Sequence, residues 1–247
     1  MQFKDILIKS NSQNKKDFYS DKRTVENYEN LRFSNAGGKF VHQEECRVMA
    51  KFLGKCNLDG PILDIPTGTG RMLSLIESSG FNIIYAADYS EEMLLQCKKS
   101  NNIECINITK QDIYNTSYED GSFETIVSSR FLFHSDDQQQ LFNEFSRIIS
   151  SNGYLIFDSL GWSPRAWSNL FSNKLGGDIY TNSNKSVAKL ASDNDFDIIR
   201  CESILMLPSF IYNFFPKWIL CMIQNIEPYW PSILKTKTVW LLRRNER

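Results

Sequence analysis

The chain has 247 residues, 42% of them hydrophobic, so it can bury one large core, and we expect a single domain rather than two. Its 28 basic and 29 acidic residues nearly cancel, and no basic stripe follows the chain, which argues against a nucleic-acid partner. The six cysteines show no C-x-x-C spacing, and the N-terminus has no apolar stretch of signal-peptide length. We therefore expect a cytoplasmic protein with reduced core cysteines, no metal site and no membrane span.

The predicted elements alternate between strands and helices along most of the chain. Residues 1–40 are expected to form an N-terminal extension, of which residues 19–39 can fold over a ligand as a lid. Apolar residues at helical spacing predict a helix over 41–53. The following elements are a strand at 61–65 and a helix after 71, a strand at 83–88 and a helix from 90, a strand at 123–129 and a helix from 136 or 137, a strand at 154–158, a helix at 184–191, and strands at 196–207 and 237–243. This order predicts an α/β fold with a largely parallel sheet, helices on both faces and a ligand crevice at the carboxyl ends of the strands.

The loop after the first predicted strand is the most informative segment. It reads Asp64-Ile65-Pro66-Thr67-Gly68-Thr69-Gly70-Arg71-Met72-Leu73. Its two glycines let the backbone approach a ligand because neither carries a Cβ. Leu73 stands where a dinucleotide fingerprint has its third glycine, and Asp64 would repel a pyrophosphate. The loop therefore favours a cofactor that carries a sulfonium and an ammonium, S-adenosylmethionine.

Two further acids follow at intervals that fit the same site. Asp88 ends the second predicted strand, 18 residues after Gly70, close to the roughly 20 at which doubly wound folds place a ribose-binding acid. Ser90 then caps a helix. Asp112 and Ile113 lie before the next strand and can offer an acceptor and a backbone N–H to a base edge. Alternatively, Asp88 is a helix-start acid and Asp112 an ordinary loop acid.

The loop resembles the first motif of class I S-adenosylmethionine-dependent methyltransferases, D/E-x-G-x-G-x-G, with Pro66 in place of the first glycine. The three motifs occur in the family's order over roughly residues 40–160. The resemblance implies a Rossmann-like seven-stranded sheet with the last strand antiparallel, Asp88 on the ribose hydroxyls, Met93 along the adenine and Asp112 on the adenine amino group. Core packing is the alternative for Met93. The cofactor-binding residues predicted in this way, with Arg32 added as a partner for the cofactor carboxylate or as a solvent-facing side chain, are Asp64, Pro66, Thr67, Gly68, Gly70, Arg71, Asp88, Tyr89, Met93, Asp112, Ile113, Ser129 and Arg32.

The methyl acceptor must be recognised by residues outside these motifs. The residues predicted to bind it are Tyr28, Phe33, Arg130, Trp162, Phe210 and Phe214. The last two belong to an aromatic-rich helical insertion at 208–236, placed between a core at 41–207 and the last strand and tail at 237–247. The insertion can be a cover packed on the domain, a pocket wall for an apolar or aromatic acceptor, or a surface for peripheral membrane contact.

His134 is the candidate general base, because it follows the predicted strand at 123–129 and because histidine is the side-chain type best suited to accept a proton near neutral pH. A structural or helix-capping histidine is the alternative reading of this residue, and His42 is a weaker candidate. The sequence thus predicts methyl transfer to O, N or C of a small, apolar or aromatic metabolite. A methyltransferase-like subunit with a binding or regulatory role is the alternative, and Leu73 disfavours an oxidoreductase. Neither the acceptor nor the oligomeric state follows from the sequence.

Overall fold

The computed structural model describes residues 35–100, 106–163 and 179–246. Seven strands form one sheet in the order β3-β2-β1-β4-β5-β7-β6. Their bounds are β1 Ile62–Asp64, β2 Ile84–Asp88, β3 Ile106–Lys110, β4 Phe123–Ser128, β5 Ile149–Leu160, β6 Phe196–Ile204 and β7 Lys237–Arg244. Strands β1 to β5 pair in parallel, whereas β7 is antiparallel to both β5 and β6. The predicted fold class, including the antiparallel last strand, is confirmed.

Strand β3 was absent from the predicted elements. It lies at the edge of the sheet, and none of its five side chains is buried. An edge strand that is half exposed on both faces carries no continuous apolar run, so its sequence gives a weak strand signal.

Six helices surround the sheet within the described residues. Their bounds are α1 Ala36–Leu53, α2 Leu73–Ser78, α3 Glu91–Ser100, α4 Gln138–Ile148, α5 Asn184–Ser192 and α6 Lys217–Ile226, with 3₁₀ turns at Leu132–His134, Ile211–Phe214, Glu227–Tyr229 and Ser232–Leu234. Ser90 and Asp137 cap α3 and α4 by accepting from the backbone N–H of Met93 and Gln140, as predicted. Among these described helices, none combines the length and the hydropathy needed to cross a bilayer.

Helix α1 begins five residues earlier than predicted. The side chain of Asn35 caps it by accepting from the Gly38 N–H at 2.7 Å. Gly37 and Gly38, which the sequence assigned to the lid segment, therefore lie in the first turn of α1. A Cβ on Gly37 would overlap the backbone carbonyl of Tyr212, so this glycine serves close packing rather than flexibility.

Two apolar layers cover the two faces of the sheet. On one face α1 packs through Val48 and Phe52 onto β1 and the strands beside it. On the other face α4 contributes Phe142, whose ring lies 5.3 Å from that of Phe157 on β5 in a T-shaped contact. Because β1 pairs in parallel with β2 and β4, the carboxyl ends of these three strands meet at one edge of the sheet.

The cysteines are only partly in the core. All five within the described ranges are free thiols, and Cys56 and Cys97 are buried. Cys201 and Cys221 are exposed, so the prediction that the cysteines are core residues is wrong for these two. They lie on the edge strand β6 and on the outer side of α6, positions whose apolar sequence context does not reveal their exposure.

Residues 205–236, the β6–β7 connection, carry the aromatic insertion. Tyr212 is fully buried and stacks on Phe40 of α1 with ring centroids 5.2 Å apart. Glu227 is buried and accepts from the Leu205 N–H at 2.6 Å. In α6 only Leu220 is buried. A few anchors thus hold a segment whose other aromatic side chains are largely exposed.

Candidate functional site

A pocket opens at the carboxyl edge of the sheet, where the parallel strands end. It is lined by Asp64, Ile65, Pro66, Thr67, Gly68, Thr69, Arg71, Met72, Asp88, Tyr89, Ser90, Met93, Gln111, Asp112, Ile113, Tyr114, Ser129, Arg130, Phe131, His134 and Asp136. These residues follow β1, β2, β3 and β4. The structure thus brings the three sequence motifs together at the crevice expected for an open α/β sheet.

The glycine loop presents bare backbone to this pocket. Gly68 and Gly70 have φ of +57° and +84°, conformations that side chains rarely adopt. A Cβ built on Gly68 would meet no atom within 4 Å, so the loop surface is open there. The loop is held by the Thr67 N–H, which donates to the Ala87 carbonyl at 2.8 Å. The Ile65–Pro66 peptide bond is cis.

Asp64 is a buried acceptor at the base of the pocket. Its side chain is 1% exposed, and Oδ2 accepts from the Thr67 hydroxyl at 2.6 Å. Oδ1 has no hydrogen-bond partner among the described residues. Burial raises the pKa of this carboxyl to about 7. The hydrogen bond from Thr67 lowers the pKa, and the negative charge of Asp88 raises it. A cationic ligand beside Asp64 would favour its ionised form.

Asp88 ties the loop to the next strand. Oδ2 accepts from the Gly68 N–H at 2.8 Å, and Oδ1 accepts from the Ser90 N–H at 2.9 Å. Burial raises the pKa of Asp88, while these backbone donors oppose the rise. Each carboxylate oxygen has two lone pairs, so Asp88 can still accept from hydroxyl groups in the pocket.

The β2–β3 side of the pocket carries the residues predicted to contact the adenine base. Met93 is 3% exposed and also lines the pocket, so it packs in the core and borders the site at once. Asp112 accepts from the Tyr114 N–H at 3.2 Å. Ile113 is buried beside it. Together they form an apolar wall with one carboxylate.

The β4 side carries a different set of groups. Ser129, Arg130 and Phe131 follow the strand, and His134 closes the 3₁₀ turn after it. Arg130 has a φ of +61°, and its backbone N–H donates to the Asp158 carboxylate. The ring of Phe131 lies 6.0 Å from that of Tyr114. This side therefore combines a guanidinium and an imidazole with aromatic surface.

A buried ion cluster supports Arg130 from behind. Nζ of Lys237 on β7 donates to Glu45 Oε1 of α1 at 2.7 Å and pairs with Asp158 of β5. Glu45 and Asp158 are fully buried, and the Lys237 side chain is 3% exposed. Glu45 Oε1 also lies 3.5 Å from Nε of Arg130. Burial alone would raise the pKa of Glu45, but the charges of Arg130 and Lys237 outweigh it and lower the pKa to about 2.

His42 adjoins this cluster and contacts the Cys46 thiol, with Nδ1 3.4 Å from Sγ. Burial and the nearby Arg71 charge lower its pKa to about 4. His42 is therefore neutral near pH 7 and adds no charge to the cluster.

Several predicted residues lie elsewhere. Arg32, Tyr28 and Phe33 are outside the described residues. Gly70 shapes the loop but does not line the pocket. The structure does not bring Trp162, Phe210 or Phe214 into the pocket: the Trp162 indole donates to the Leu234 carbonyl at 3.2 Å, and the two phenylalanines are 43% and 80% exposed on the β6–β7 connection.

Sequence reasoning missed part of the site. The lining residues that it did not assign to the site are Ile65, Thr69, Met72, Ser90, Gln111, Tyr114, Phe131 and Asp136. Most are neighbours of motif residues and follow from them once the loops are placed. Glu45, Asp158 and Lys237 are different, because they come from distant elements and no local spacing links them.

Comparisons with known proteins agree with this geometry. Residues 63–157 match the family model described as a methyltransferase domain. The chain is 31% identical over 104 residues to the provisionally named methyltransferase YqeM of Bacillus subtilis (strain 168), covering 40% of this chain and 42% of YqeM. It is 30% identical over 127 residues to the uncharacterized chloroplastic methyltransferase At1g78140 of Arabidopsis thaliana, covering 48% of this chain and 36% of that protein. The chain thus spans less than half the length of these curated relatives.

The fold is similar to that of a solved S-adenosylmethionine-dependent methyltransferase from Thermotoga maritima, with a TM-score of 0.64. The two are 17% identical, and the match covers 93% of this chain and 99% of the other. At this identity the likeness establishes the fold alone.

The fold and the strand-end pocket are those of class I S-adenosylmethionine-dependent methyltransferases, and the segment that matches the methyltransferase domain model contains Asp64, Asp88 and Asp112, as the sequence predicted. The cofactor of the class is the one that the loop at Asp64 predicted.

Proposed function

We propose that this protein transfers a methyl group from S-adenosylmethionine to O, N or C of a small acceptor with an apolar or aromatic body. The observation that carries the proposal is the convergence of Asp64, Asp88 and Asp112 with the open backbone of Gly68 in one pocket. Family membership alone would not name an activity, because one fold serves many functions.

The residues present fit this cofactor. Asp64 Oδ1 is a buried acceptor without a partner in the described part of the chain, which suits a ligand with cationic groups. Asp88 would hold the ribose hydroxyls, since both its oxygens retain acceptor capacity. Asp112 and the Ile113 N–H would meet the adenine edge, with Met93 against the ring. The bare surface at Gly68 leaves room for a ligand against the loop.

The cofactor, when bound, supplies an electrophilic methyl group on its sulfonium. What remains for the protein is to hold a nucleophile close and in line, to exclude water and, where the acceptor keeps a proton, to remove it. His134 lines the pocket on the β4 side and is our candidate to accept that proton. We place this chemistry in the cytoplasm, as expected from the sequence.

The test is a calorimetric titration of the full chain with S-adenosylmethionine and S-adenosylhomocysteine, followed by detection of S-adenosylhomocysteine formed with a panel of phenol, amine and carbon-acid acceptors. We expect both cofactor forms to bind and turnover with at least one acceptor class. Binding without turnover would favour the binding or regulatory role, and absence of binding would reject the proposal.

Asp88 offers a sharper test of the cofactor site. Replacing Asp88 by Asn removes a charged acceptor, and such hydrogen bonds contribute about 1.5–3 kcal/mol, which corresponds to about a tenfold to hundredfold loss of affinity for S-adenosylhomocysteine. The matched control is Asp197→Asn on the exposed face of β6, which should bind as the unchanged protein does. Equal affinities for both variants would remove Asp88 from the site.

A further inference from the structure

The outer face of α6 in the β6–β7 connection is apolar. Trp218, Met222 and Ile226 follow one another at intervals of four residues, so they share one face of the helix, and all three are exposed. The opposite face packs on the core through Leu220 and Ile223. Helices that are apolar on all sides are typical of buried positions, so α6 has one apolar face that the described residues do not cover.

The exposed apolar surface continues on both sides of α6. The connection also exposes Phe210, Phe214, Tyr229, Trp230, Ile233 and Leu234. With the three residues of α6, these make nine of the fifteen exposed large apolar side chains in the described ranges. Single exposed apolar residues are ordinary, but their concentration in one segment indicates a binding surface.

The connection carries no exposed acid. Its charged residues are Lys217, Lys235 and Glu227. Glu227 is buried and accepts from the Leu205 N–H, whereas Lys217 is exposed and Lys235 is partly exposed. The surface of the connection is therefore both apolar and basic.

The neighbouring helix α1 does not offset this charge. A side-chain hydrogen bond of 3.3 Å joins α6 to Glu44 of α1. Arg47 pairs with Glu44 and with Glu202 of β6, and the same Glu202 pairs with Lys51. Both acids are thus matched by cations, and Lys39 in the first turn of α1 is exposed and adds a positive charge.

These features together favour one kind of partner. Exposed Trp and Tyr side chains beside Lys are typical of proteins that lie in the interface of an anionic bilayer. The ten residues of α6 are roughly 15 Å long, about half the thickness of a hydrocarbon core, so the helix would lie in the interface and not cross it. A second copy of this surface would bring lysines against lysines, which is unfavourable. We infer that the exposed face of the β6–β7 connection binds the surface of an anionic lipid bilayer.

The connection belongs to the edge of the sheet at which the pocket opens. Ile204 at the end of β6 pairs with Lys237 at the start of β7, and Lys237 pairs with Leu160 at the end of β5. The connection therefore leaves and rejoins the sheet at the carboxyl edge of the parallel strands. Bilayer binding there needs neither cofactor nor acceptor, so the inference does not depend on the proposed methyl transfer.

Co-sedimentation of the full chain with sucrose-loaded vesicles tests the inference. Vesicles of phosphatidylcholine alone are compared with vesicles of phosphatidylcholine mixed with phosphatidylglycerol. We expect binding to the mixed vesicles to be about tenfold tighter, because the lysines are attracted to anionic headgroups, and to weaken as sodium chloride is added.

Two substitutions assign the binding to the connection. Trp218→Ser removes a large exposed side chain of α6 and should weaken binding to the mixed vesicles about tenfold. Lys217→Gln should weaken it about fivefold and leave binding to phosphatidylcholine unchanged. The matched controls are Leu95→Ser and Lys98→Gln, at an exposed leucine and an exposed lysine of α3, and both should bind as the unchanged protein does.

Three results of the vesicle assay would each overturn the inference: no binding to the mixed vesicles, equal binding to both kinds of vesicle, or equal effects of the α6 and α3 substitutions. Sedimentation velocity without lipid tests the other occupant, since a dimer that Trp218→Ser dissociates would assign the surface to a second copy and overturn the inference as well. Thermal unfolding checks that each variant is folded. If Trp218→Ser lowers Tm, Met222→Ser on the same face of α6 takes its place.

Discussion

The strand-end pocket and the β6–β7 connection differ in which side chains they bury: the pocket buries carboxylates, whereas the connection exposes aromatic side chains. In the pocket, Asp64 and Asp88 are buried and accept hydrogen bonds, Asp88 from the Gly68 and Ser90 N–H groups. In the connection, large apolar side chains are exposed: Phe214 by 80%, Trp218 by 65% and Tyr229 by 88%. Burial of polar groups is costly and persists where something specific binds them, whereas exposure of apolar groups shows that the fold itself does not use them.

The difference also bears on the three interpretations of the aromatic insertion. A packed cover would bury most of its aromatic side chains. Within the described connection, Tyr212 is the aromatic residue that is fully buried. Phe210 and Phe214 do not line the described pocket. The segment is thus attached through Tyr212, Leu220 and Glu227, and its exposed surface fits the third interpretation, peripheral membrane contact.

Removing the cation from the buried ion cluster behind the pocket should have the largest effect on the free energy of unfolding. Lys237→Met leaves Glu45 and Asp158 buried without their shared cation, which costs about 3–5 kcal/mol of unfolding free energy. Chemical denaturation measures it. Lys217→Met, at an exposed lysine that begins α6, is the control and should change stability by less than about 0.5 kcal/mol. Similar effects of the two substitutions would show that the cluster does not carry this cost.

Asp64 should make the stability of the ligand-free protein depend on pH. Its folded-state pKa, about 7, lies above that of an unfolded-state aspartate, about 3.9. Between these values the folded protein binds a proton that the unfolded chain does not, so the free energy of unfolding falls as pH rises, by at most about 1.4 kcal/mol per pH unit from this group.

Asp64→Asn removes that dependence, and denaturation curves at pH 4.5, 5.5 and 6.5 of both proteins measure the difference. Relative to the unchanged protein, the variant should gain stability as pH rises. A constant difference across this range would place the pKa of Asp64 near its ordinary value. Because the bound cofactor is cationic, it should also bind the unchanged protein more tightly as pH rises towards 7.

A substitution where α1 packs against the β6–β7 connection should have an intermediate effect on the free energy of unfolding. Gly37→Ala adds a Cβ that overlaps the Tyr212 carbonyl, so α1 and the connection must separate, at about 1–3 kcal/mol of unfolding free energy. Gly54→Ala is the control, because its Cβ would be 3.6 Å from the nearest atom, the Ala50 carbonyl oxygen. Thermal denaturation of both variants measures the contrast, and an equally stable Gly37→Ala would show that the contact yields without strain.

The smallest effect is expected on the surface of α6. Trp218→Ser should change the free energy of unfolding by less than about 0.5 kcal/mol, because the indole is 65% exposed. Phe52→Ala, in the core beneath α1, is the contrasting substitution and should cost about 3–5 kcal/mol. A large loss for Trp218→Ser would mean that the connection is packed more tightly than its exposure indicates.

Local sequence patterns predicted the cofactor side of the site because the Asp64 and Asp88 motifs each lie where a strand is followed by a helix. Asp64, Asp88 and their loops are specified by residues within a few positions of each other, so spacing predicted both the elements and their meeting point. Phe210 and Phe214 were assigned to the acceptor on aromatic density, which does not specify where a side chain points, and they are not among the residues that line the described pocket. Edge strand β3 was missed because its half-exposed residues form no continuous apolar run. The start of α1 at Ala36 was missed because its glycines were assigned to the lid, although the Asn35 cap is a local signal.

By itself, the sequence determined the alternating α/β order, the resemblance to class I methyltransferases and the cofactor loop from Asp64 to Arg71. Backbone conformation and hydrogen bonding within a short segment depend on nearby residue types, so these features can be predicted from the sequence. Only the tertiary structure decided that Glu45, Asp158 and Lys237 meet behind Arg130, and that burial raises the pKa of Asp64 to about 7. These properties depend on desolvation and on charges brought together from distant elements, which exist only once the sheet has been assembled.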